Sequence, residues 1–140
     1  MTADEVRGFL TATPPHTGKL ATTLSDGAPH VAPIWFDVDE GGDIVFMTGA
    51  DTVKGRALAR DPRAALCVDD ESPPFAFVMV EGVVELSEDP EELRRWGTRI
   101  GGRYMGTEKA ESLGERNAVP GELLVRLRPR NIVGIRDMAD

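Results

Sequence analysis

The chain has 140 residues, 41% hydrophobic and 29% charged, with 24 acidic against 16 basic side chains and a net charge of −8. That balance fits one folded domain over residues 1–140, and the surplus negative charge argues against nonspecific nucleic-acid binding and adhesion to anionic membranes. No run approaches the roughly 20 apolar residues that span a bilayer, the acidic start Met1-Thr2-Ala3-Asp4-Glu5 does not resemble a secretory leader, and Cys67 stands alone without a disulfide partner, so the cytoplasm is the expected location.

Thr2 and Glu5 have the spacing of a capping box, and Val6, Phe9 and Leu10 share one face, which predicts a short helix ending before Pro14-Pro15. Lys19 to Leu24 reads as a strand, Ser25-Asp26-Gly27 as a turn and Ala28 to Val38 as the return strand, because Asp-Gly between extended runs signals a hairpin. Gly41-Gly42 turns the chain into a strand from Asp43 to Thr48. A helix is predicted from about Thr52 to Arg60, stopped by Pro62, and then a strand over 64–69 that holds Cys67 as a packed, inert thiol.

The stretch Phe75 to Leu86 reads as a long strand. Its even positions, Ala76, Val78, Val80, Gly82, Val84 and Leu86, are apolar and face the core. Its odd positions begin apolar, with Phe77 and Met79, and end with Glu81 and Glu85. The apolar half of that face must be covered by a second layer, a crossing helix, a subunit interface or a flat ligand. Asp89, Pro90 and Glu92 then open a helix as cap, first-turn proline and capping-box partner. Leu93, Trp96, Ile100 and Tyr104 recur at helical spacing as its buried stripe. Gly101-Gly102 weakens its end, which leaves open a mobile loop for Arg103 and Tyr104. A polar helix from about Glu108 to Arg116 precedes Pro120-Gly121 and a last strand from Glu122 to Ile135. Strands outnumber helices, so the expected class is mainly β with peripheral helices. Six antiparallel strands with long central members point to a small closed barrel, which removes exposed edges.

Chemistry concentrates between Asp43 and Arg63. A strand empties into a glycine-bearing turn and a helix start, where free N–H groups, the Thr48 hydroxyl and cations meet, a combination suited to an anionic group. Lys54 and Arg56 lie about 200° apart around a helix, so they do not grip one phosphate together from the helix body. Lys54, in the first turn, is the better candidate; Arg56 and Arg60 share a face and serve equally well as solvated surface charge. His16 and His30 lack acid or cysteine neighbours at metal-ligand spacing, and no Walker, dinucleotide or nucleophile-elbow motif is present. Redox or group-transfer chemistry therefore falls to a bound cofactor.

The order of hairpin, strand, Lys54-Gly55-Arg56-Ala57-Leu58-Ala59-Arg60-Asp61-Pro62-Arg63, strand and Val78-Met79-Val80-Glu81-Gly82 resembles the flavin and deazaflavin oxidoreductases of the pyridoxamine 5′-phosphate oxidase-like family, a split β-barrel. Within it, Pro29-His30-Val31-Ala32-Pro33-Ile34-Trp35-Phe36, Thr52 to Arg63 and Arg103-Tyr104-Met105-Gly106 are most similar to the branch that uses coenzyme F420. The resemblance implies a homodimer with two cofactor sites at the subunit interface and a small organic substrate. It assigns the cofactor phosphate to Lys54, with Arg56 nearby. It lays the backbone of Ala32, Pro33, Ile34 and Trp35 along the ring, sets Met47 and Thr48 against the ring and its polyol, and brings Phe77 and Met79 to the cofactor or the other subunit. FMN is the alternative cofactor, and a noncatalytic carrier the alternative role. Phe77 and Met79 replace the polar residues that vitamin B6 oxidases carry before Glu-Gly, so that reaction is not expected. Ala57 replaces the usual asparagine after the family arginine.

Overall fold

The computed structural model describes residues 1–140. Helix α1 (Ala3–Leu10) starts on the reciprocal cap anticipated above: Glu5 N donates to Thr2 Oγ1 and Thr2 N to Glu5 Oε1, at 3.1 and 2.9 Å. The strands are β1 (Gly18–Thr23), β2 (Pro29–Ile34), β3 (Asp37–Val38), β4 (Ile44–Gly49), β5 (Arg63–Asp70), β6 (Ala76–Ser87) and β7 (Glu122–Ile135). Helix α2 (Val53–Arg60) joins β4 to β5, while α3 (Pro90–Met105) and α4 (Thr107–Asn117) join β6 to β7.

All seven strands form one antiparallel sheet in the order β2-β1-β5-β6-β7-β4-β3. Strands β2 and β3 are consecutive in the chain yet lie at opposite edges, with only Trp35 and Phe36 between them. Three Cα steps of about 3.8 Å hold those edges within about 11 Å of each other, so the sheet must curl into a nearly closed barrel. This corrects the expected strand count from six to seven. The return strand does not run from Ala28 to Val38: the chain leaves β1 after Ile34, crosses the gap at Trp35-Phe36 and pairs Asp37 with Val45 of β4. Mainly antiparallel β with peripheral helices remains the class.

Leu20, Phe36, Phe46, Leu58, Leu66, Val68, Val78, Val80, Val125 and Leu127 fill the interior. The even positions of β6 point inward as its alternation requires, and the register with β7 shifts between Glu81 and Gly82, where the Arg128 carbonyl lies so close that only glycine fits. A second core forms outside the barrel, where Leu93, Trp96 and Ile100 of α3 cover Val45 and Leu124. Strands β4 and β7 are thus buried on both faces where α3 lies on them, which explains their near-continuous apolar runs.

Two expectations for α3 change. Asp89 caps it by accepting from Glu91 N at 3.0 Å, while Glu92 turns away to Arg126 instead of closing a box. The helix also continues through Gly101-Gly102 to Met105, so Arg103 and Tyr104 are not in a loop. Leu113 packs on Gly101 and Ala110 on Gly102, and Arg103 donates to the carbonyls of Phe36 and Leu10 at 2.5 and 2.7 Å. Tertiary bonds and α4 supply what the two glycines take from helix propensity.

Candidate functional site

The site is built where α2 meets the end of β4. Thr52 caps α2: its Oγ1 accepts from Gly55 N at 3.0 Å, donates to the Gly49 carbonyl at 2.7 Å and accepts from the Thr48 hydroxyl at 2.8 Å. Gly55 allows this closeness, since a Cβ there would collide with the Gly49 carbonyl oxygen. No acid occupies the first turn of α2, and Lys54 does. None of the ion pairs in the molecule includes Lys54, Arg56 or Arg60.

Lys54 lines a cavity of about 330 Å³. Pro33 and Ile34 at the end of β2, Trp35 just beyond it, and Met47 of β4 form part of its wall. Helix α3 contributes Gly97, Ile100 and Gly101, and α4 contributes Leu113, Arg116 and Asn117. The volume lies at the small end of the range for ligand sites, roughly 300–1,000 Å³. The lining holds two cations and no aspartate or glutamate, in a chain with 24 acids. An anion entering it meets attraction without like-charge opposition.

The structure thus gathers Pro33, Ile34, Trp35, Met47 and Lys54 and leaves the other candidates outside this lining. Thr48 is 5% exposed, with its hydroxyl turned to Thr52. Ala32 is half-buried, one residue short of the wall, and Arg56 points from α2 into solvent. Phe77 and Met79 sit on β6; Phe77 lines a separate outer groove with Cys67 and the Lys19–Asp69 ion pair, closed at 2.7 Å. Burial, with Asp69 nearby, raises the Cys67 thiol above its ordinary range, so it stays protonated and unreactive. No helix is long and apolar enough to cross a membrane, and no three His, Cys, Asp or Glu side chains cluster as metal ligands would.

Sequence reasoning missed the helical wall. Gly97 and Gly101 lie one turn apart, and with Gly114 they bring α3 and α4 into close contact, so that Leu113, Arg116 and Asn117 reach the cavity. The four-residue glycine spacing was the available signal.

Trp35 is 41% exposed at the rim. The Tyr104 ring stacks on it with centroids 5.1 Å apart and planes 5° from parallel. The phenol donates to the His16 carbonyl at 2.7 Å and accepts from Phe36 N at 3.4 Å. Burial raises its pKa above the usual phenol value. Tyr104 is therefore a neutral prop that fixes Trp35 and the crossover behind it.

Residues 2–135 match the pyridoxamine 5′-phosphate oxidase family. The chain is 31% identical over 121 residues to the 5a,11a-dehydrotetracycline/5a,11a-dehydrooxytetracycline reductase of Streptomyces rimosus, across 83% of this chain and 71% of that enzyme. A conserved hypothetical protein from Mycobacterium tuberculosis superposes with a TM-score of 0.84 at 30% identity, covering 100% of this chain and 89% of its own. An F420 reductase superposes with a TM-score of 0.67 at 27% identity, covering 85% of this chain and 90% of its own.

Proposed function

The chain belongs to the pyridoxamine 5′-phosphate oxidase family of split-barrel oxidoreductases, and from that premise we propose that it is a coenzyme F420-dependent reductase. It passes a hydride between the deazaflavin and a small organic molecule with an activated double bond. The carrying observation is the acid-free cavity, apolar along Pro33, Ile34, Trp35 and Met47 and cationic at Lys54. A phosphorylated, largely apolar ring system fits that donor set. Resemblance to a reductase and to an F420 reductase supports the same reading.

In this reading the cofactor supplies the hydride chemistry when bound. Lys54 would hold its phosphate by a charge-assisted bond. Pro33, Ile34, Trp35 and Met47 would flank the ring, with Ala32 adjoining them on β2, and Ile100 and Leu113 would exclude water. No lining residue is a carboxylate, histidine or free phenol, so none of these groups would serve as the proton donor, and water would fill that role.

The working form is a cytoplasmic homodimer. The outer face of β2, β1, β5 and β6 supports this. Val31 is 67% exposed, Ala21 pairs with it across the β1–β2 ladder, and Cys67 pairs with Met79 across β5–β6, with the Lys19–Asp69 ion pair between them and Phe77. Phe77 and Met79 then meet the second subunit or the cofactor bound between subunits.

Titration of the protein with F420 and with FMN, followed by fluorescence, tests the assignment. The expected result is preferential binding of F420; tight FMN binding without F420 binding makes the protein an FMN-dependent oxidoreductase of the same barrel. The absence of an acid or base in the lining favours one further reading, a cofactor carrier. Reduced F420 with a panel of enones separates the two, because a carrier binds the coenzyme without consuming it. K54A removes a charge-assisted phosphate bond worth about 1.5–3 kcal/mol, so F420 affinity is expected to fall ten- to a hundredfold. Affinity within twofold of the unsubstituted protein overturns the role of Lys54.

A further inference from the structure

The cavity contains a second cation that the family pattern does not assign. Arg116 lies in the last turn of α4 and lines the same space as Lys54. It makes no ion pair, and of the arginines without one (Arg7, Arg56, Arg60, Arg94, Arg116 and Arg130) it alone lines this cavity. A basic residue in a last turn does favour the helix dipole, but that role does not require it to line an acid-free cavity.

The backbone joins the two connections from which the cation-bearing helix ends extend. Arg116 precedes the short connection from α4 to β7, and Lys54 follows the connection from β4 to α2. These connections are joined: Ala50 N donates to the Gly121 carbonyl at 2.7 Å, and Gly49 pairs with Glu122 in the β4–β7 ladder. The second cation comes from another helix, so the geometric objection to a Lys54–Arg56 pair on one helix does not apply to it. Asn117 donates its Nδ2 to the Leu113 carbonyl at 2.7 Å, fixing the end of α4 beside Arg116.

We infer that Arg116 and Lys54 form a two-cation clasp for a single phosphate-type group, and that Arg56 stands outside it. The planar guanidinium takes two non-bridging oxygens side by side while the ammonium adds a point charge beside them. The inference rests on the cavity being the redox-ligand site. Its chemistry is that of a phosphate ester, carried either by the coenzyme or by the substrate.

The experiment is a double-mutant cycle on the full chain with K54A, R116Q and their combination. F420 and Fo, the deazaflavin that lacks the phosphate and tail, are the ligands. If the coenzyme carries the group, R116Q is expected to weaken F420 about tenfold and leave Fo unchanged. R56Q does neither, and the double variant loses less than the product of the single losses. If the substrate carries it, F420 affinity is unchanged in K54A and R116Q alike, which overturns the coenzyme role of Lys54, while both variants raise KM for phosphorylated acceptors and not for neutral ones. A third arm needs no redox ligand: pyrophosphate added to the protein labelled with ¹⁵N-arginine is expected to move the Arg116 Nε–H signal, less so in K54A. That arm upholds the clasp even if F420 and FMN both fail to bind, an outcome that rejects the cofactor reading alone. Three results overturn the clasp: equal loss of Fo and F420 in R116Q, a fall in its melting temperature with no change toward F420 or any phosphorylated acceptor, or an Arg116 signal unmoved by pyrophosphate.

Discussion

Helix α3 separates two cation-bearing regions with opposite chemistry. On one side Arg95, Arg99 and Arg126 surround the Trp96 ring, their guanidinium carbons 4.6–5.6 Å from its centroid. Acids meet every one of them. Arg126 reaches Asp39 and Glu92, both at 3.1 Å, Arg99 reaches Asp37 at 2.9 Å, and Arg95 approaches Glu92 at 4.0 Å. On the other side Lys54 and Arg116 face a cavity with no acid at all. The first region ties α3 to the β3–β4 edge of the barrel. The second keeps its charges available. In a chain with eight surplus negative charges, cations left unpaired beside a cavity are what the proposed phosphate-bearing ligand would complete.

The comparison breaks most sharply at Asp37. Its carboxylate is buried, bonds Arg99 at 2.9 Å, lies 3.6 Å from the largely buried Arg103 and accepts from Val38 N at 2.8 Å. Removing one partner strands the other charge, so D37A is expected to lower unfolding free energy by about 3 kcal/mol in urea denaturation. K54A, with no partner to strand, is expected to leave that value within about 0.5 kcal/mol. Equal losses in the two variants erase the distinction between tying and waiting cations.

The same contrast explains what was legible in the sequence. Thr2 with Glu5, Thr52 before Val53 and the alternation of Val78, Val80 and Val84 act through neighbours in the chain, and each element formed as read. The break after Ile34 was hidden because it depends on barrel closure. Asp37 is held by an arginine 62 residues away, and Phe36 accepts from one 67 residues away. The site divides likewise. Lys54 and the ends of β2 and β4 follow from local order. The α3–α4 wall depends on two helices meeting through Gly97, Gly101 and Gly114, and only that packing selects the face on which Arg116 emerges.

Tyr104 lies between the two regions, on the tying helix but against the cavity rim. Y104F keeps the stack on Trp35 and removes the bond to the His16 carbonyl. Thermal and urea unfolding are expected to show a loss of about 1 kcal/mol, an ordinary hydrogen-bond contribution. Turnover with reduced coenzyme is expected to stay within threefold. A hundredfold fall in kcat with stability and coenzyme affinity intact would instead make the phenol the proton donor and place Tyr104 in the reacting set.

The smallest effect sharpens the comparison at its junction. Glu122 pairs with Gly49 where the β4 and β7 connections meet, outside the cavity lining. Partial burial raises its carboxyl above the ordinary value of 4.5, and no cation offsets that cost. The folded state therefore holds this proton more tightly than the unfolded chain. Its favourable contribution is present below pH 4.5 and is lost as pH rises through the raised value. E122Q removes the charge, so its melting temperature is expected to exceed that of the unsubstituted protein slightly at pH 7 and to converge with it near pH 4. A melting temperature for E122Q that falls at pH 7 would mean that the ionised carboxylate is favourably placed, which requires one of the two cations to lean toward it. Lys54 or Arg116 would then be partly paired within the protein, and the charge waiting for a ligand would be that much smaller.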